Sequence, residues 1–184
     1  MHRDLVRRML AAHRERWPED GATADRIGHL VESRADCLER ACEPGHVTAS
    51  AWIVSADLER CLLTHHRKLG RWLQLGGHAD GEPDPRRVAL TEAREESGMD
   101  DFELRDCGDG VLTLDIDVHA IPARRGEPEH EHHDFRFLFV ACAGQRLEIS
   151  DESLELRWFA WDELPDGDES VGRMAERARR LLLG

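Results

Sequence analysis

Residues Gly76 to Met99 contain the most informative pattern of this chain, and they read Gly-Gly-His-Ala-Asp-Gly-Glu-Pro-Asp-Pro-Arg-Arg-Val-Ala-Leu-Thr-Glu-Ala-Arg-Glu-Glu-Ser-Gly-Met. A glycine-rich loop leads into a segment with clear helix-end signals. Asp84 suits the N-cap and Pro85 the first helical position, where no amide donor is needed. Gly98 can adopt the left-handed conformation that closes a last turn. These signals predict a helix that begins at Pro85 and ends just before Gly98.

Three carboxylates share one face of this predicted helix. Glu92, Glu95 and Glu96 stand at positions i, i+3 and i+4. Carboxylates held so close repel one another unless a cation neutralises them, and Mg²⁺ or Mn²⁺ prefers oxygen ligands. The Gly76-Gly77 pair lets the backbone approach a metal or a diphosphate closely and could add carbonyl ligands. The alternative is a solvated acidic helix face, which requires neither the preceding glycine pair nor the closing Gly-aliphatic pair.

This stretch resembles the Nudix box, whose pattern is Gly-x5-Glu-x7-Arg-Glu-aliphatic-x-Glu-Glu-x-Gly-aliphatic. The positions that match in register are Gly77, Glu92, Ala93, Glu95, Glu96, Gly98 and Met99. Two positions depart from the pattern. Pro83 stands where the first glutamate is expected, with Glu82 one residue early, and Thr91 replaces the arginine that orients the neighbouring glutamate in the family.

The resemblance implies a fold and a reaction. The fold is an α/β/α sandwich with a mixed β-sheet, here preceded by a helical appendage. The reaction is metal-dependent hydrolysis of a diphosphate linkage in a nucleoside diphosphate derivative, such as a nucleotide sugar, a dinucleotide or a modified nucleotide. Glu92, Glu95 and Glu96 would be the catalytic residues. Together with the backbone of Gly76 they would bind Mg²⁺ or Mn²⁺, and Glu92 would be a metal ligand or the base that positions the attacking water.

Residues outside the box are harder to assign. Nudix enzymes often take a further carboxylate from a loop of variable position, and the candidates here are Glu127, Glu129, Glu131, Asp134, Glu152 and Glu155. The basic residues that could bind the distal phosphate are Arg124, Arg125 and Lys68. The sequence does not choose among these candidates, and it does not identify the diphosphate substrate.

Two other functions share this fold. One is a non-hydrolytic nucleotide-binding or regulatory module, which the departures at Pro83 and Thr91 would favour. The intact Glu92, Glu95 and Glu96 argue against it. The other is an isomerase of allylic diphosphates, which needs a reactive cysteine in its cleft. An exposed Cys61 or Cys107 would favour the isomerase, but the sequence around them does not indicate one.

The composition predicts a soluble globular protein. The 184 residues are 40% hydrophobic and 34% charged, and the net charge of −13 argues against binding to nucleic acid polymers or anionic membranes. No apolar run approaches membrane-spanning length, and the charged start does not resemble a signal peptide. The five cysteines form no Cys-x-x-Cys pair, so we interpret them as reduced core residues of a cytoplasmic protein.

Three regions are predicted along the chain. Residues 1–44 form the N-terminal helical appendage, with one helix ending at Pro18 and another running from about Thr23 to Glu43-Pro44-Gly45. This appendage is interpreted as a packing element or as part of a homodimer interface. Residues 45–165 form the hydrolase core, and residues 166–184 form a C-terminal helix that packs on it.

Alternating polar and apolar residues predict the strands of the core. The expected strands cover Val47–Ser55, Arg60–His65, Phe102–Leu104, Gly110–Ile121, the segment around Phe135 to Phe139, and Glu155–Trp161. Pairing of the strands on either side of the loop from Pro122 to Glu131 would let their polar faces line a cleft for a polar substrate. The histidine-rich end of that loop could suggest a zinc site through His130 and His132. A solvated loop is favoured, because no cysteine stands nearby.

Overall fold

The computed structural model describes residues 3–105, 112–124, 126, 128–151, 153–165 and 168–183 of the chain. The helices are α1 (Asp4–Arg16), α2 (Gly21–Ser33), α3 (Pro85–Ser97) and α4 (Glu169–Leu183), with a short 3-10 helix at Pro18–Asp20. The strands are β1 (Gly45–Val54), β2 (Arg60–His66), β3 (Arg71–Leu73), β4 (Leu75–His78), β5 (Phe102–Leu104), β6 (Asp115–Ile121), β7 (His130–Ala141) and β8 (Ser153–Ala160).

The strands form one mixed sheet around β1. This strand runs parallel to β7 along its whole length and antiparallel to β2 and β4 on its other side. On the far side of β7, β5 and β6 pair with it antiparallel, and β8 pairs antiparallel with β2. The predicted pairing of β6 with β7 is therefore present. The expectation of a mixed sheet flanked by helices is confirmed.

Side chains of β1 alternate between the two faces of the sheet, as in any strand. Val47, Ala49 and Ala51 face the first side, where they share a core with residues of α1, α2 and α3. Trp52 and Val54 face the second side, where they pack with residues of α4. Because helices cover both faces of one sheet, the architecture is an α/β/α sandwich.

Local sequence signals define α3 as predicted. The Asp84 carboxylate accepts a hydrogen bond from the backbone N–H of Arg86 at 3.1 Å, and Pro85 is the first helical residue. At the other end, Gly98 has a φ of 70°, which is the left-handed conformation that favours glycine. The helix therefore begins and ends where the capping residues indicated.

The prediction for the end of α2 is wrong. This helix ends at Ser33, well before Glu43-Pro44-Gly45. Cys37 and Leu38 are buried, as their apolar character suggested, but they lie in turns. Their carbonyls accept hydrogen bonds from the backbone N–H groups of Val47 at 2.8 Å and Gly81 at 2.9 Å, so they join the segment to β1 and the loop before α3.

The polar faces of β6 and β7 do not line an open cleft over their whole length, because α4 covers one end. Asp115 of β6 is fully buried and binds Arg136 of β7 at 2.9 Å. Two arginines of α4, Arg173 and Arg177, also donate to Asp115. We call this group the ion cluster, and its members are Asp115, Asp117, Asp134, Arg136, Arg173 and Arg177. The predicted start of this strand at Gly110 lies outside the described residues, and β6 itself begins at Asp115.

Acid is expected to weaken the fold through Asp117 of the ion cluster. Burial raises the pKa of Asp117, but the hydrogen bond with His119 and the charges of Arg136 and Arg173 outweigh it and lower the pKa from 3.8 to about 2. A carboxylate whose pKa is lowered by folding stabilises the folded state above its unfolded pKa, and this stabilisation is lost as pH falls through the folded pKa. The loss is therefore expected between about pH 4 and about pH 2.

Urea unfolding across that pH range tests this expectation with Asp117→Asn. The variant should be less stable than the wild type at neutral pH but should lose less stability on acidification. Asp151→Asn, which changes an exposed carboxylate, should keep the wild-type pH dependence. Equal acid sensitivity of Asp117→Asn and the wild type would contradict the role given to Asp117.

The N-terminal helices contact the rest of the chain through polar as well as apolar groups. His13 of α1 hydrogen bonds through Nδ1 to Thr113 Oγ1 at 2.7 Å. Arg26 of α2 pairs with Glu131 at 2.7 Å, and Arg177 of α4 pairs with Asp20 at 2.7 Å. In the described part of the chain, no helix is both long and apolar enough to span a membrane.

Candidate active site

Two glycines of β4 allow side chains to approach the backbone where any larger residue would collide. A Cβ atom added to Gly76 would lie 2.3 Å from the Ser50 hydroxyl oxygen, and one added to Gly77 would lie 2.3 Å from the Glu92 carboxylate. Gly76 pairs with Ser50 of β1 in the sheet. Glycine is required at both positions, because β1 and α3 pack too closely against β4 to leave room for a side chain.

The α3 carboxylates differ in their surroundings. Glu96 is only 7% exposed, and its Oε2 accepts a hydrogen bond from the backbone N–H of Gly76 at 3.3 Å. Glu92 is half-buried against Gly77, whereas Glu95 is exposed. The structure thus brings Glu92 and Glu96 to the glycine pair and leaves Glu95 at the solvent edge of the same helix.

The two departures from the box have different local consequences. Thr91 is exposed at the surface of α3. Glu82, which precedes Pro83, accepts a hydrogen bond from the backbone N–H of Asp84 at 3.0 Å. The Glu82 carboxylate therefore supports the N-cap of α3.

Asp134, a candidate for the further carboxylate, lies in β7 and not in a loop, and it has a direct structural link to the glycine pair. It is 2% exposed and accepts hydrogen bonds from Ser50 at 2.9 Å, Thr48 at 3.0 Å and Arg136 at 2.8 Å. Since Ser50 lies directly against Gly76, Asp134 holds the side chain that supports β4. Neither Ser50 nor Thr48 is predicted as a site residue from the sequence, in which their only signal is alternation with Ala49 and Ala51 along β1.

The other loop carboxylates lie in different places. Glu129 and Glu155 are exposed, and Glu131 pairs with Arg26 of α2 at 2.7 Å. Glu127 and Glu152 lie outside the described residues.

Two of the three predicted phosphate-binding residues are exposed between strands of the sheet. Lys68 is exposed in the turn between β2 and β3, and Arg124 is exposed between β6 and β7. Arg125 lies outside the described residues.

The chemistry of the donors at β4 fits a hard divalent cation. Glu92 and Glu96 supply carboxylate oxygens beside backbone that has no side chain in the way. Mg²⁺ and Mn²⁺ prefer oxygen donors of this kind, and Mg²⁺ usually takes one or two carboxylates plus substrate phosphate. The donor set around the glycine pair is therefore suited to the predicted ion.

The buried cysteines do not provide the reactive thiol that an isomerase needs. Cys61 is fully buried, and burial raises the pKa of its thiol to about 12. Burial likewise raises the pKa of Cys42 to about 11. The prediction that the cysteines are core residues holds for Cys37, Cys42 and Cys61 but is wrong for Cys142, which is exposed. Cys107 lies outside the described residues.

Comparisons with known proteins place the fold. Solved structures with the same architecture include a NUDIX-family hydrolase from Clostridium perfringens, at 24% identity and a TM-score of 0.52, covering 74% of this chain and 95% of that chain. An Ap4A hydrolase from C. elegans matches at 15% identity with a TM-score of 0.56, and the match covers 74% of this chain and 96% of that chain. A UDP-X diphosphatase matches at 18% identity with a TM-score of 0.53, and the match covers 96% of this chain and 92% of that chain. No curated protein matches the sequence.

The sequence itself identifies the family. The family model described as NUDIX domain matches residues 44–182, a range that contains the whole sheet, α3 and most of α4. The resemblance of the stretch from Gly76 to Met99 to the Nudix box is therefore confirmed. This chain belongs to the NUDIX family of pyrophosphohydrolases, which cleave diphosphate linkages.

Proposed function

We propose that this chain hydrolyses the diphosphate linkage of a nucleoside diphosphate derivative, using Glu92, Glu95 and Glu96 with Mg²⁺ or Mn²⁺. The observation that supports the proposal is that the Glu92 and Glu96 carboxylates lie directly against the backbone of Gly76 and Gly77. The substrate class comprises nucleotide sugars, dinucleotides and modified nucleotides.

The chain's own residues have distinct roles in this proposal. Glu92, Glu95, Glu96 and the backbone of Gly76 would hold the ion, which when bound would neutralise diphosphate oxygens and lower the pKa of a nearby water. Glu92 acts either as a ligand of the ion or as the base that positions the attacking water and accepts its proton. The water oxygen bonds to one phosphorus, the bond from that phosphorus to the bridging oxygen breaks, and the bridging oxygen leaves with the other phosphate.

Residues around this centre position the reacting groups. Asp134 holds Ser50 against Gly76 and so fixes the strand that faces Glu96. Arg124, Arg125 or Lys68 binds the distal phosphate of the substrate, because a cation is needed there in a chain whose net charge is −13.

A panel of diphosphate-linked nucleotides tests the proposal. Purified protein with Mg²⁺ or Mn²⁺ is assayed for release of nucleoside monophosphate from UDP-linked, dinucleoside, ADP-ribose and oxidised nucleotide substrates. UDP-linked compounds come first, since the fold of the UDP-X diphosphatase matches 96% of this chain and so includes the N-terminal helices. We expect cleavage of one class and its loss with a chelator.

The Gly77→Ala variant tests whether the position of Glu92 affects activity without affecting the stability of the fold. The added methyl would occupy the space of the Glu92 carboxylate, and the flexible end of Glu92 can move away at little cost to stability. We expect kcat/KM to fall by about 10²-fold, the cost of a small misplacement of a reacting group. The melting temperature should change little.

A matched variant provides the control for Gly77→Ala. A Cβ added to Gly172 of α4 meets no atom within 4 Å, so Gly172→Ala should keep full activity and should stabilise the helix slightly. Unchanged kinetics in Gly77→Ala would mean that the position of Glu92 does not matter for the reaction.

A non-hydrolytic binding module is the second candidate function, favoured by Pro83 and the exposed Thr91. In that case nucleotides would raise the melting temperature without being cleaved. An allylic diphosphate isomerase is less well supported, because Cys61 is buried and its thiol pKa is raised.

The division of the chain into residues 1–44, 45–165 and 166–184 remains a proposal, as do the cytoplasmic location and a homodimer through the N-terminal helices. The buried free thiols of Cys37, Cys42 and Cys61 support the location. Light scattering of the full chain tests the dimer.

A further inference from the structure

Five histidines from four strands gather on the second face of the sheet, and we call them the histidine cluster. Its members are His46 of β1, His78 of β4, His119 of β6, and His130 and His132 of β7. Neighbouring rings of the cluster have centroids 4.9 to 5.4 Å apart. The segment that contains His130 and His132 is part of β7, not of the preceding loop.

Sheet register creates the cluster. His46 lies directly opposite His132 in the parallel pairing of β1 with β7, and His119 lies opposite His132 from the other side. His78 lies opposite Thr48 of β1. Because alternate residues of β4 face opposite sides, His78 points away from the side on which Gly77 meets Glu92. The histidine cluster and the α3 carboxylates are therefore two separate sets of ligands.

Three of these histidines have the spacing of a metal site. One ring nitrogen each from His46, His130 and His132 lies within 4.8 Å of the other two. The Nε2 atoms of His130 and His132 are 3.3 Å apart. Two nitrogens bound at about 2.1 Å to one tetrahedral ion are about 3.4 Å apart, so this pair already has the required separation. A shift of His46 toward the pair would complete the site.

Hydrogen bonds orient the rings for metal binding. His130 Nδ1 lies 2.9 Å from the carbonyl of Pro128, so this nitrogen donates its proton and leaves the lone pair of Nε2 for an ion. Metal-binding histidines typically donate their second ring N–H to a carbonyl or carboxylate in this way. His46 is 1% exposed, and both of its ring nitrogens lack a hydrogen-bond partner within the described residues. The backbone of Cys42 is near enough to influence this ring but forms no hydrogen bond of ordinary geometry with it.

Burial favours the neutral form of the His46 and His132 rings, which keeps a lone pair for a ligand bond. Burial and the neighbouring His130 lower the pKa of His46 to about 4. Burial and the other histidines lower the pKa of His132 to about 2.

The charged groups beside the histidine cluster have opposite effects on the binding of a cation. Arg40 donates to His78 Nδ1 at 2.6 Å, which disfavours a cation and removes that nitrogen of His78 as a ligand. The negative charge of Asp80 acts on the His46 and His78 rings and favours a cation there. Asp117 pairs with His119 at 3.0 Å. The positive charge of Arg40 is therefore offset by two nearby carboxylates.

We propose that His46, His130 and His132 form a binding site for a divalent transition-metal ion such as Zn²⁺, Co²⁺ or Ni²⁺. Imidazole nitrogen suits these ions, whereas Mg²⁺ prefers oxygen. Three protein ligands leave a fourth position for water. Because the ion would link β1 to β7, it stabilises the folded sheet, and this role is independent of hydrolysis at α3.

Cobalt binding tests the site. Protein without a histidine tag is stripped with a chelator, transferred to buffer with excess Mg²⁺ to occupy the carboxylates, and titrated with Co²⁺. We expect roughly one ion per chain to remain after gel filtration, with visible absorption typical of nitrogen ligands in low coordination. Zn²⁺ should raise the melting temperature of the wild type, because it binds only the folded state.

Variants assign the ion to its ligands. His130→Gln changes a half-buried residue and should weaken Co²⁺ binding at least tenfold and abolish the effect of Zn²⁺ on melting. His132→Gln should do the same. His29→Gln, at an exposed position of α2, should bind as the wild type does. Circular dichroism checks that each variant is folded.

Three results would overturn the proposal. The first is failure of the wild type to retain Co²⁺ in excess Mg²⁺, which needs no variant. The second is equal binding by folded His130→Gln and the wild type. The third is loss of binding in Glu96→Gln with retention in His130→Gln, which would place the ion at α3.

Discussion

Glu96→Gln is expected to lower kcat for diphosphate hydrolysis by about 10³-fold, within the range that removal of a group acting directly on the reacting centre produces. Glu96 is 7% exposed and directed at the backbone of Gly76, where the ion is proposed to lie. Glutamine keeps the shape of the side chain and can still accept the hydrogen bond from Gly76. The charge is lost, so affinity for Mg²⁺ should fall together with kcat.

Glu103→Gln is the control for this variant. Glu103 is an exposed residue of β5 that pairs with Arg105 at 3.1 Å, and it has no part in the proposed site. Its substitution should leave kcat unchanged. If Glu96→Gln kept wild-type kcat and Mg²⁺ dependence, the assignment of the ion to α3 would have to be abandoned.

Asp115→Asn is expected to lower the free energy of unfolding by about 3–5 kcal/mol, the usual cost of breaking a buried ion pair by removing one partner. Asp115 is fully buried and accepts hydrogen bonds from Arg136 at 2.9 Å, from Arg173 at 2.9 Å and from Arg177. Two of these three arginines, Arg136 and Arg177, are almost completely buried. Their charges would lose the carboxylate that compensates them.

Urea unfolding monitored by tryptophan fluorescence measures this loss. Asp25→Asn provides the comparison, because Asp25 pairs with Arg14 at the solvent-exposed surface of α1 and α2 and its removal should change stability little. Equal stability of Asp115→Asn and Asp25→Asn would show that the Asp115 carboxylate contributes little to holding α4 on the sheet.

Features encoded in short stretches of sequence could be predicted. The Asp84 cap, the proline after it and the left-handed Gly98 fix the ends of α3 by local hydrogen bonding and backbone sterics. Alternation predicted most strands for the same reason, since it depends only on neighbours in the chain. The end of α2 could not be predicted, because Cys37 is apolar at helical spacing. Its carbonyl nevertheless accepts a hydrogen bond from the backbone N–H of Val47 in β1.

Features that depend on distant pairing could not be predicted. Asp134 binds Ser50 across 84 residues of sequence. That contact exists only because β1 and β7 pair in parallel in one register, and no local pattern determines a register between distant strands. The same register brings His46 to His132. His130 and His132 alone gave no convincing metal pattern, since the third ligand comes from a strand far away in the chain.

Phosphorus NMR of the reaction tests the central claim most directly. Wild-type protein with Mg²⁺ is incubated with each nucleotide of the panel, and the phosphorus resonances are followed with time. We expect the diphosphate resonances of one nucleotide class to be replaced by monophosphate resonances, and a chelator to stop the conversion. If the diphosphate resonances persist for every class while a nucleotide raises the melting temperature, the chain binds nucleotides without hydrolysing them, and the proposed function is wrong.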